Sequence, residues 1–333
     1  MYHPPIFSAR IPRLDTFRAI AALAVMWGHY ANPLLPDWLA PLTATASAGV
    51  QFFFVLSGFL ITALLIENGD EAPATKLRGF YVRRAYRIFP LYYFALVIGL
   101  LLAIPDFRET VLWTATYLTN FYMIYADNPK LGFAGHFWTL AVEEQFYLVW
   151  PTLLIFLRRA IWPIGIGLVL ASVVFKQVQF GAGGYPVASM SPLACADALC
   201  IGALSALACK TWDVDRTEVA LRWLLPLSSP AALAFVAYQS PDALVFTGAG
   251  AFFFFAWLIV FAVKDGPNGN SWGGRWLPAL GLISYGIYVY HFMLLGLLHM
   301  SGLPDFWLTR TLTAVATIGA AWVSWRYLER AHD

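Results

Sequence analysis

The sequence predicts an all-α polytopic membrane protein, a bundle of about ten transmembrane helices with both termini in the cytoplasm. Of its 333 residues, 60% are hydrophobic and only 12% are charged, whereas soluble domains carry about 25% charged residues. Apolar runs of about 20 residues, the length that crosses a hydrocarbon core, recur along the whole chain. There is no internal repeat and no long hydrophilic segment, so we interpret residues 1–333 as a single transmembrane domain.

The apolar runs place the ten spans in order along the chain. They cover residues 12–31, 47–67, 88–104, 136–157, 161–177, 191–209, 219–238, 243–263, 278–300 and 307–327. Residues 110–125 are aromatic but interrupted by polar side chains, so they form either an eleventh span or an interfacial or re-entrant segment. No cleavable signal peptide is expected, because the first apolar run carries polar residues and lacks a small-residue cleavage site.

Basic residues decide between ten and eleven spans. With ten spans, all of the 21 lysines and arginines except Arg108, Lys130, Lys176 and Arg310 fall on one side of the membrane. Because cytoplasmic loops carry an excess of lysine and arginine, we interpret that side as the cytoplasm. An eleventh crossing would invert the chain from the Arg158–Arg159 pair onward. The lipid bilayer is the expected environment, and no nucleic-acid partner is expected.

The first polar cluster lies in LDTFRAIAALAVMWGH, residues 14–29, where Arg18 and His29 are eleven positions apart. That spacing is about 20° past three helical turns and about 16 Å along the axis, so both residues share a face. Arg18 then lies at the cytoplasmic interface and His29 deeper, toward the outer half of the bilayer. One interpretation is structural, with Arg18 snorkelling and His29 hydrogen-bonded. The other is functional, because intramembrane ionisable groups usually mark a functional site.

The second cluster is KLRGFYVRRAYRIFP, residues 76–90. Arg84 and Arg87 are one turn apart at the cytoplasmic entry of a span, with Arg78 and Arg83 close by and aromatic residues among them. The positive charge by itself is explained by a basic loop that sets the membrane topology. Guanidinium groups beside aromatic rings also form a surface that binds phosphate and nucleotide groups. Coenzyme A (CoA) contains phosphates and a nucleotide.

The third cluster is HFWTLAVEEQFYLVWP, residues 136–151. Glu143 and Glu144 lie several residues into an otherwise apolar span, with His136 and Gln145 nearby. Consecutive helical residues point about 100° apart, so one glutamate can face a cavity while its neighbour pairs with another helix. A purely structural pairing with arginines of the bundle is the alternative.

Three cysteines lie along one apolar segment, and none is in a hydrophilic loop. Cys195, Cys200 and Cys209 are predicted to be small core residues. No metal site and no disulfide is expected.

Six segments, taken together and in order, resemble the membrane acyltransferase-3 family of bacterial O-acyltransferases. They are LDTFRAIAALAVMWGH (14–29), FFFVLSGFLI (52–61), FYVRRAYRIFPLYY (80–93), HFWTLAVEEQFYLVWP (136–151), ADALCIGALSA (196–206) and ISYGIYVYH (283–291). The Arg18–His29 spacing and the VEEQFYL run are the most specific. The resemblance implies a ten-helix bundle in the bacterial inner membrane. It also implies transfer of an acyl group, commonly acetyl from cytoplasmic acetyl-CoA, to a hydroxyl of a glycan or another glycosylated acceptor.

The chain departs from the family pattern in two places. Some relatives carry an extracytoplasmic hydrolase-like domain after the last span, and none is expected after YLERAHD, where this sequence ends. Many relatives place an arginine shortly before the ADAL run, where this chain reads SPLACADALC. No charge role is therefore transferred to Cys195, and Asp197 is a candidate for pairing with another helix.

The chemistry of ester formation suggests roles for these residues. A hydroxyl that attacks a thioester needs a base, and an imidazole near its working pKa suits that role, so His29 is the predicted general base. Glu143 or Glu144 would orient this imidazole or be the base itself.

The donor, acyl-CoA, is expected at the cytoplasmic face. Arg18, Arg84 and Arg87, with Arg83 beside them, would hold its phosphates and adenine end while the pantetheine arm reaches inward toward His29. Both Arg18 and His29 are expected to face one shared cavity.

Two further positions have open interpretations. The Ser57–Gly58 pair either lets backbone approach a narrow channel closely or is a small-residue helix contact, which is the commoner case. His291 either lines the acceptor path or packs in the core.

Two other classes of protein stay possible from sequence. A polytopic transporter of a glycan or small polar solute also needs intramembrane ionisable groups, but its inverted halves with matching broken helices are not visible here. A non-catalytic membrane scaffold has little use for His29 and two carboxylates in hydrocarbon.

Overall fold

The computed structural model describes most of the chain, and within that part it is helical without a strand. Lys130 and Arg330, which belong to the charge count, lie outside the described residues, as do both chain ends. The described residues are 10–31, 34–36, 39, 43–67, 72–104, 107–126, 132–237, 241–268, 272 and 274–329.

Each of the ten predicted apolar runs contains an α-helix, which confirms the all-α prediction. A 3₁₀ turn, Gly132–Phe137, leads into α6, and a π-helical turn, Trp325–Glu329, follows α15. The described helices are α1 (Pro12–Ala31), α2 (Thr45–Glu67), α3 (Pro73–Leu101), α4 (Phe107–Ala115), α5 (Thr119–Tyr125), α6 (Trp138–Phe156), α7 (Ile161–Gly181), α8 (Tyr185–Met190), α9 (Ala196–Trp212), α10 (Val214–Arg222), α11 (Leu225–Ala237), α12 (Pro241–Lys264), α13 (Trp276–Leu282), α14 (Ser284–Met300) and α15 (Trp307–Ser324).

Several helices are long and apolar enough to cross a membrane. Among the described residues, four helices meet that requirement by length and composition: α2, α3, α7 with the turn before it, and the Thr247–Lys264 part of α12. The α10–α11 and α13–α14 pairs, bent by 68° and 74°, raise the number to six if each pair is one span. The count of ten spans and the cytoplasmic position of both termini stay predictions.

The outer face of α7 is apolar along its length. Ile166, Leu170, Val174 and Val178 are all exposed, and their four-residue spacing places them in one stripe. A contiguous apolar stripe of this length on a helix surface is typical of contact with lipid. This stripe and the long apolar helices indicate a membrane protein.

Residues 110–125 form two short helices rather than one continuous helix. The helices α4 and α5 have nine and seven residues, and Tyr117 between them has a φ of 55°. Because a span needs about 20 residues, neither helix can cross the bilayer alone. The structure favours the interfacial or re-entrant interpretation of this stretch.

The helix α3 begins much earlier than the predicted span at residue 88. It starts at Pro73 and runs to Leu101, so the helix includes the whole basic cluster that precedes the predicted span. Proline at the first helical position has a φ already suited to the helix. Arginine and lysine are good helix formers, so their polarity ends an apolar run without ending the helix.

The helices α2 and α9 cross at close range in the centre of the bundle. A β-carbon at Gly58 would overlap the carbonyl of Leu199, and one at Gly202 would overlap the carbonyl of Val55. Gly58 is thus a small-residue helix contact, the commoner of the two interpretations. This contact fixes the rotation of α2 and turns Ser57 toward α6.

Candidate active site

An inner cavity of about 120 Å³ lies between α1, α2, α3, α6 and α14. Three of the predicted donor-binding residues, Arg18, Arg84 and Arg87, line it together with Glu143. Arg83 is exposed and is not among the residues that line it. The structure therefore brings together three of the four predicted arginines.

The arginines of this cavity differ in their partners. Arg18 Nη1 lies 3.4 Å from Asp15 Oδ1, and the other oxygen of that carboxylate accepts a 2.6 Å hydrogen bond from Arg10 Nε. The Arg84 guanidinium lies 4.0 Å from the centre of the Tyr147 ring, a cation–π contact. Within the described part of the chain, the buried Nε of Arg84 has no hydrogen-bond partner, so it can donate to a ligand.

The two adjacent glutamates have different surroundings, as expected from their directions on the helix. Glu143 lines the inner cavity and accepts hydrogen bonds from Ser57 Oγ at 3.0 Å and from Tyr147 OH at 2.8 Å. Glu144 is half-buried and is not among the lining residues of the inner or the outer cavity. Among the residues that the structure describes, neither carboxylate is hydrogen-bonded to His29, so the expected glutamate–imidazole contact is not present.

The first turn of α14 also borders the inner cavity. Ser284 and Tyr285 line it, and no side chain caps the helix start at Ile283. The buried Ser284 Oγ has no partner within the described residues. Unpaired backbone N–H groups give a helix N-terminus a partial positive charge that attracts anions. The inner cavity therefore combines three guanidinium groups with a helix N-terminus.

A second, outer cavity of about 480 Å³ adjoins the first, and aromatic side chains form part of its wall. His29, His136, Gln51 and Lys176 contribute polar groups to its wall. Its aromatic lining residues are Trp138, Phe180, Tyr185, Phe235, Phe252, Tyr288 and Phe292.

Three histidines from different parts of the chain meet at the outer cavity. His29 Nδ1 lies 3.1 Å from His291 Nε2, and the two rings stack with centroids 5.1 Å apart. The His136 ring lies 5.0 Å from that of His291. His291, which the sequence left between two roles, is thus the hydrogen-bond partner of His29, in the place expected for a glutamate.

The hydrogen bonds of His291 determine which nitrogen of His29 carries a proton. His291 Nδ1 lies 2.6 Å from the Tyr288 carbonyl, so this nitrogen must donate. In a neutral imidazole the other nitrogen is an acceptor, so His291 Nε2 accepts from His29 Nδ1–H. The lone pair of His29 is therefore on Nε2, which is the form required of a base.

Residues of α1 and α15 hold His29 in position. Tyr30 OH donates to the His291 carbonyl at 2.8 Å and lies 2.9 Å from Thr317 Oγ1. Arg310 Nη1 donates to the Tyr30 carbonyl at 2.8 Å and lies 3.4 Å from that of His29. Arg310 also forms two 2.5 Å hydrogen bonds to the Asp305 carboxylate. These contacts satisfy the carbonyls at the end of α1 and fix its register against α14 and α15.

The two cavities meet at a thin partition. Val50, Thr139 and Tyr288 line both of them. The hydroxyls of Thr139 and Tyr288 are hydrogen-bonded to each other, and Tyr288 OH donates to the His136 carbonyl at 2.7 Å. Arg18 and His29 therefore line two adjoining cavities, which corrects the expectation of one shared cavity.

Asp197 pairs with another helix, as the sequence suggested. Its carboxylate forms a buried ion pair with Lys176 of α7, and Lys176 also lines the outer cavity. The three cysteines are buried thiols, consistent with the predicted core role. In the part of the chain that the structure describes, no group of three or more His, Cys, Asp or Glu side chains is arranged to hold a metal ion.

Sequence reasoning missed the roles of four residues. In the predicted topology His136 begins a span at the outer side of the membrane, which is the level assigned to His29. This shared level could have indicated that the two histidines lie close together. Thr139 and Tyr288 had no signal, because a threonine and a tyrosine in apolar helices are ordinary core residues. Lys176 could have been recognised as a candidate, because a lone lysine in an apolar helix usually marks a functional site.

The chain belongs to the acyltransferase-3 family, whose model, described as an acyltransferase domain, matches residues 11–326. A helical bundle whose cavities are lined by arginine, histidine and glutamate side chains is consistent with membership of this family.

Its relatives include two proteins matched over nearly the whole chain. The peptidoglycan O-acetyltransferase OatA of Listeria monocytogenes is 27% identical over 96% of this chain and 55% of its own length. A Bacillus subtilis protein named "Putative peptidoglycan O-acetyltransferase YrhL" is 28% identical over 99% of this chain and 56% of its own length. The chain thus spans just over half the length of these curated relatives. No solved structure matches it significantly.

Proposed function

We propose that this protein is a multi-pass O-acyltransferase of the bacterial inner membrane that moves an acetyl group from cytoplasmic acetyl-CoA to a hydroxyl of a glycan or glycosylated acceptor. The observation that carries the proposal is the pair of adjoining cavities, one lined by arginines and one lined by histidines, which share only a thin partition. The names of OatA and YrhL support an acetyl group and a glycan acceptor.

The inner cavity is the proposed donor site. Arg18, Arg84 and Arg87 would pair with the phosphates of CoA, since guanidinium groups form bidentate bonds with phosphate. The small volume of the cavity suits the thin pantetheine arm better than the nucleotide, which would stay at the mouth. The uncapped start of α14 adds donors at the inner wall.

The acyl group would be transferred where the cavities meet. His29 Nε2 removes the proton of the acceptor hydroxyl as its oxygen attacks the thioester carbonyl. A new C–O bond forms, the C–S bond breaks, and the proton passes from His29 to the departing thiolate of CoA. The Thr139 and Tyr288 hydroxyls, which line both cavities, can turn to donate to the carbonyl oxygen as its negative charge develops.

Glu143 has a different proposed role from the one expected from sequence. It holds Ser57 and Tyr147 by hydrogen bonds, and the Tyr147 ring supports Arg84. The carboxylate would thus position the donor-binding arginine and supply its counter-charge. Glu144, which does not line the cavity, would contribute a second negative charge near Arg84.

The proposal is tested with purified full-length protein in lipid nanodiscs, supplied with [¹⁴C]acetyl-CoA and the uncharged N-acetylglucosamine tetramer chitotetraose. We expect CoA release together with a labelled tetrasaccharide that is heavier by one acetyl group. The variant His29→Ala should lose transfer by about 10³-fold while still binding acetyl-CoA. Wild-type protein that forms neither product, or a His29→Ala variant with normal turnover, would contradict the proposal.

A further inference from the structure

A buried ion pair that the proposed chemistry does not use borders the outer cavity. Lys176 is 8% exposed and Asp197 only 1% exposed, and their charged groups are in direct contact. The other oxygen of Asp197 accepts a 2.9 Å hydrogen bond from the backbone N–H of Ala198. Lys176 is among the lining residues, whereas Asp197 is not. The Asp197 carboxylate thus fixes the Lys176 ammonium group in the cavity wall without lining the cavity itself.

The ammonium group of Lys176 retains donor capacity toward the cavity. A lysine carries three N–H donors, and its hydrogen bond within the described structure is to Asp197. The Nζ atom lies 5.4 Å from the centre of the Phe252 ring, on the aromatic wall of the same cavity. Of the described residues that line this cavity, Lys176 is the one lysine, arginine, aspartate or glutamate.

A buried acceptor lines the same cavity. Gln51 Oε1, from α2, has no hydrogen-bond partner within the described part of the chain. Buried polar atoms almost always have a partner, so this unpaired oxygen, on a residue of the cavity wall, is available to a polar ligand. A hydroxyl group both donates and accepts, and it can therefore satisfy Gln51 and Lys176 together.

The charge of the pair selects the kind of ligand. Lys176 and Asp197 sum to zero, so a neutral polar ligand leaves the buried charges balanced. A carboxylate would instead add an uncompensated negative charge near Asp197 in a low-dielectric setting, which is costly. The aromatic walls suit the apolar faces of sugar rings, in the usual pattern of an apolar pocket with a few polar anchors.

We propose that Lys176, held by Asp197, forms with Gln51 an acceptor subsite for an uncharged sugar residue, by hydrogen bonds to its hydroxyl or acetamido oxygens. This inference rests on the proposed function, because it names the acceptor class of the same reaction. It predicts a preference for neutral over acidic glycans.

The test measures binding without turnover, using purified full-length protein in nanodiscs and two tetrasaccharides of equal length. Chitotetraose is uncharged, and the hyaluronan tetrasaccharide carries two carboxylates. We expect the wild-type protein to bind chitotetraose at least tenfold more tightly. Equal binding, tighter binding of hyaluronan, or no binding of chitotetraose would overturn the proposal.

Variants separate a binding role from a packing role. The double variant Lys176→Met with Asp197→Asn leaves no unpaired buried charge, and its chitotetraose affinity should fall about tenfold with acetyl-CoA affinity unchanged. Asp197→Asn alone makes the subsite cationic and should raise affinity for hyaluronan relative to chitotetraose. Unchanged relative affinities in both variants would overturn the proposal.

A matched control lies one turn away on α7. Ser172 Oγ donates to the Ala194 carbonyl at 2.9 Å but is not among the cavity residues, so Ser172→Ala should bind chitotetraose as wild type does. If the double variant fails to fold, as judged by loss of acetyl-CoA binding, Gln51→Leu takes its place. That variant should bind chitotetraose severalfold more weakly, and unchanged binding would again overturn the subsite.

Failure of the subsite and failure of the proposed function give different results. A protein that acetylates chitotetraose but binds it equally well without Lys176 retains the function and loses the subsite. A protein that binds chitotetraose through Lys176 but never releases CoA retains the subsite and loses the function.

Discussion

His29 and His291 share a hydrogen bond of 3.1 Å between Nδ1 and Nε2, although they are 262 positions apart in sequence. The bond directs the lone pair of His29 to its Nε2 nitrogen, because His291 donates to a carbonyl with its other nitrogen. In the proposed mechanism, a second imidazole would thus take the orienting role that a carboxylate has in many hydrolytic triads.

Replacing His291 should slow acyl transfer without weakening donor binding. In His291→Phe, the His29 ring loses the partner from α14 that fixes its orientation, so we expect kcat to fall about 10²-fold with the KM for acetyl-CoA unchanged. Steady-state kinetics with chitotetraose measures both. His299→Phe, on the same helix but lining neither cavity, is the control. A normal kcat in His291→Phe would assign His291 to packing alone.

The inner arginines should govern donor affinity. Arg84→Ala combined with Arg87→Ala removes two of the three guanidinium groups that line the inner cavity, so the Kd for CoA should rise at least tenfold, with a smaller effect on turnover at saturation. Isothermal titration with CoA checks this. Arg83→Ala is the matched control, since Arg83 is exposed and does not line the cavity. If the double variant and the control bind CoA alike, the basic cluster serves topology only.

The neighbouring glutamates should differ in their effects. Glu143→Gln replaces one of the two carboxylate oxygens that accept from Ser57 and Tyr147 with an NH₂ group that cannot accept, so one of these two bonds is lost. Tyr147 OH can still donate to Ser57 Oγ, which lies 2.9 Å away, but the counter-charge of Arg84 is removed. We expect Glu143→Gln to weaken CoA binding several times more than Glu144→Gln does. Equilibrium dialysis with labelled CoA distinguishes the two. Equal, mild effects would remove Glu143 from the donor site.

The partition residue Tyr288 should contribute to the chemical step. In Tyr288→Phe a potential donor to the developing oxyanion is lost, so transfer should fall about 10²-fold with CoA affinity retained. Tyr290→Phe, two residues further on, is the control because Tyr290 lines neither the inner nor the outer cavity. Turnover of Tyr288→Phe close to that of Tyr290→Phe would contradict the oxyanion role.

The Asp305–Arg310 pair should stabilise the protein at neutral pH and lose that effect in acid. The two hydrogen bonds from Arg310 hold the pKa of Asp305 below its usual value. A lowered folded-state pKa stabilises the protein above the unfolded-state pKa, about 3.9 for aspartate, and the gain is lost as pH falls through the folded-state value. Asp305→Asn should therefore unfold at a lower temperature than wild type at pH 7. The expected loss in free energy of unfolding is less than about 1 kcal/mol, because the pair is half-exposed. Thermal unfolding curves that differ equally at pH 7 and pH 3 would contradict this.

Much of the architecture follows from the sequence for simple reasons. The run at 12–31 and the helix Pro12–Ala31 coincide, because membrane helices are set by apolar length and by the need to satisfy backbone hydrogen bonds internally. The start of α3 at Pro73 was missed because hydropathy measures burial in lipid and not helix formation. The breaks in the α10–α11 and α13–α14 pairs depend on tertiary packing, which a single apolar run does not encode.

The arrangement of the candidate site residues follows from the sequence only in part. Helical spacing places Arg18 and His29 on one face but cannot show that a partition separates their cavities, because Thr139 and Tyr288 come from two other helices. The choice between Glu143 and Glu144 depends on the rotation of α6, which neighbouring helices decide. His291 could not be assigned to His29 without knowing how α1 and α14 pack.

In the proposed function acetyl-CoA is cytoplasmic, and we further propose that the acceptor enters the outer cavity from the opposite face, so that donor and acceptor meet at Thr139 and Tyr288. Proteoliposomes of uniform orientation, with [¹⁴C]acetyl-CoA on one side and chitotetraose on the other, test it most directly. The account predicts labelled chitotetraose when the two substrates are on opposite sides, with acetyl-CoA at the face bearing Arg84. Product that forms only when both substrates are on the same side would contradict it.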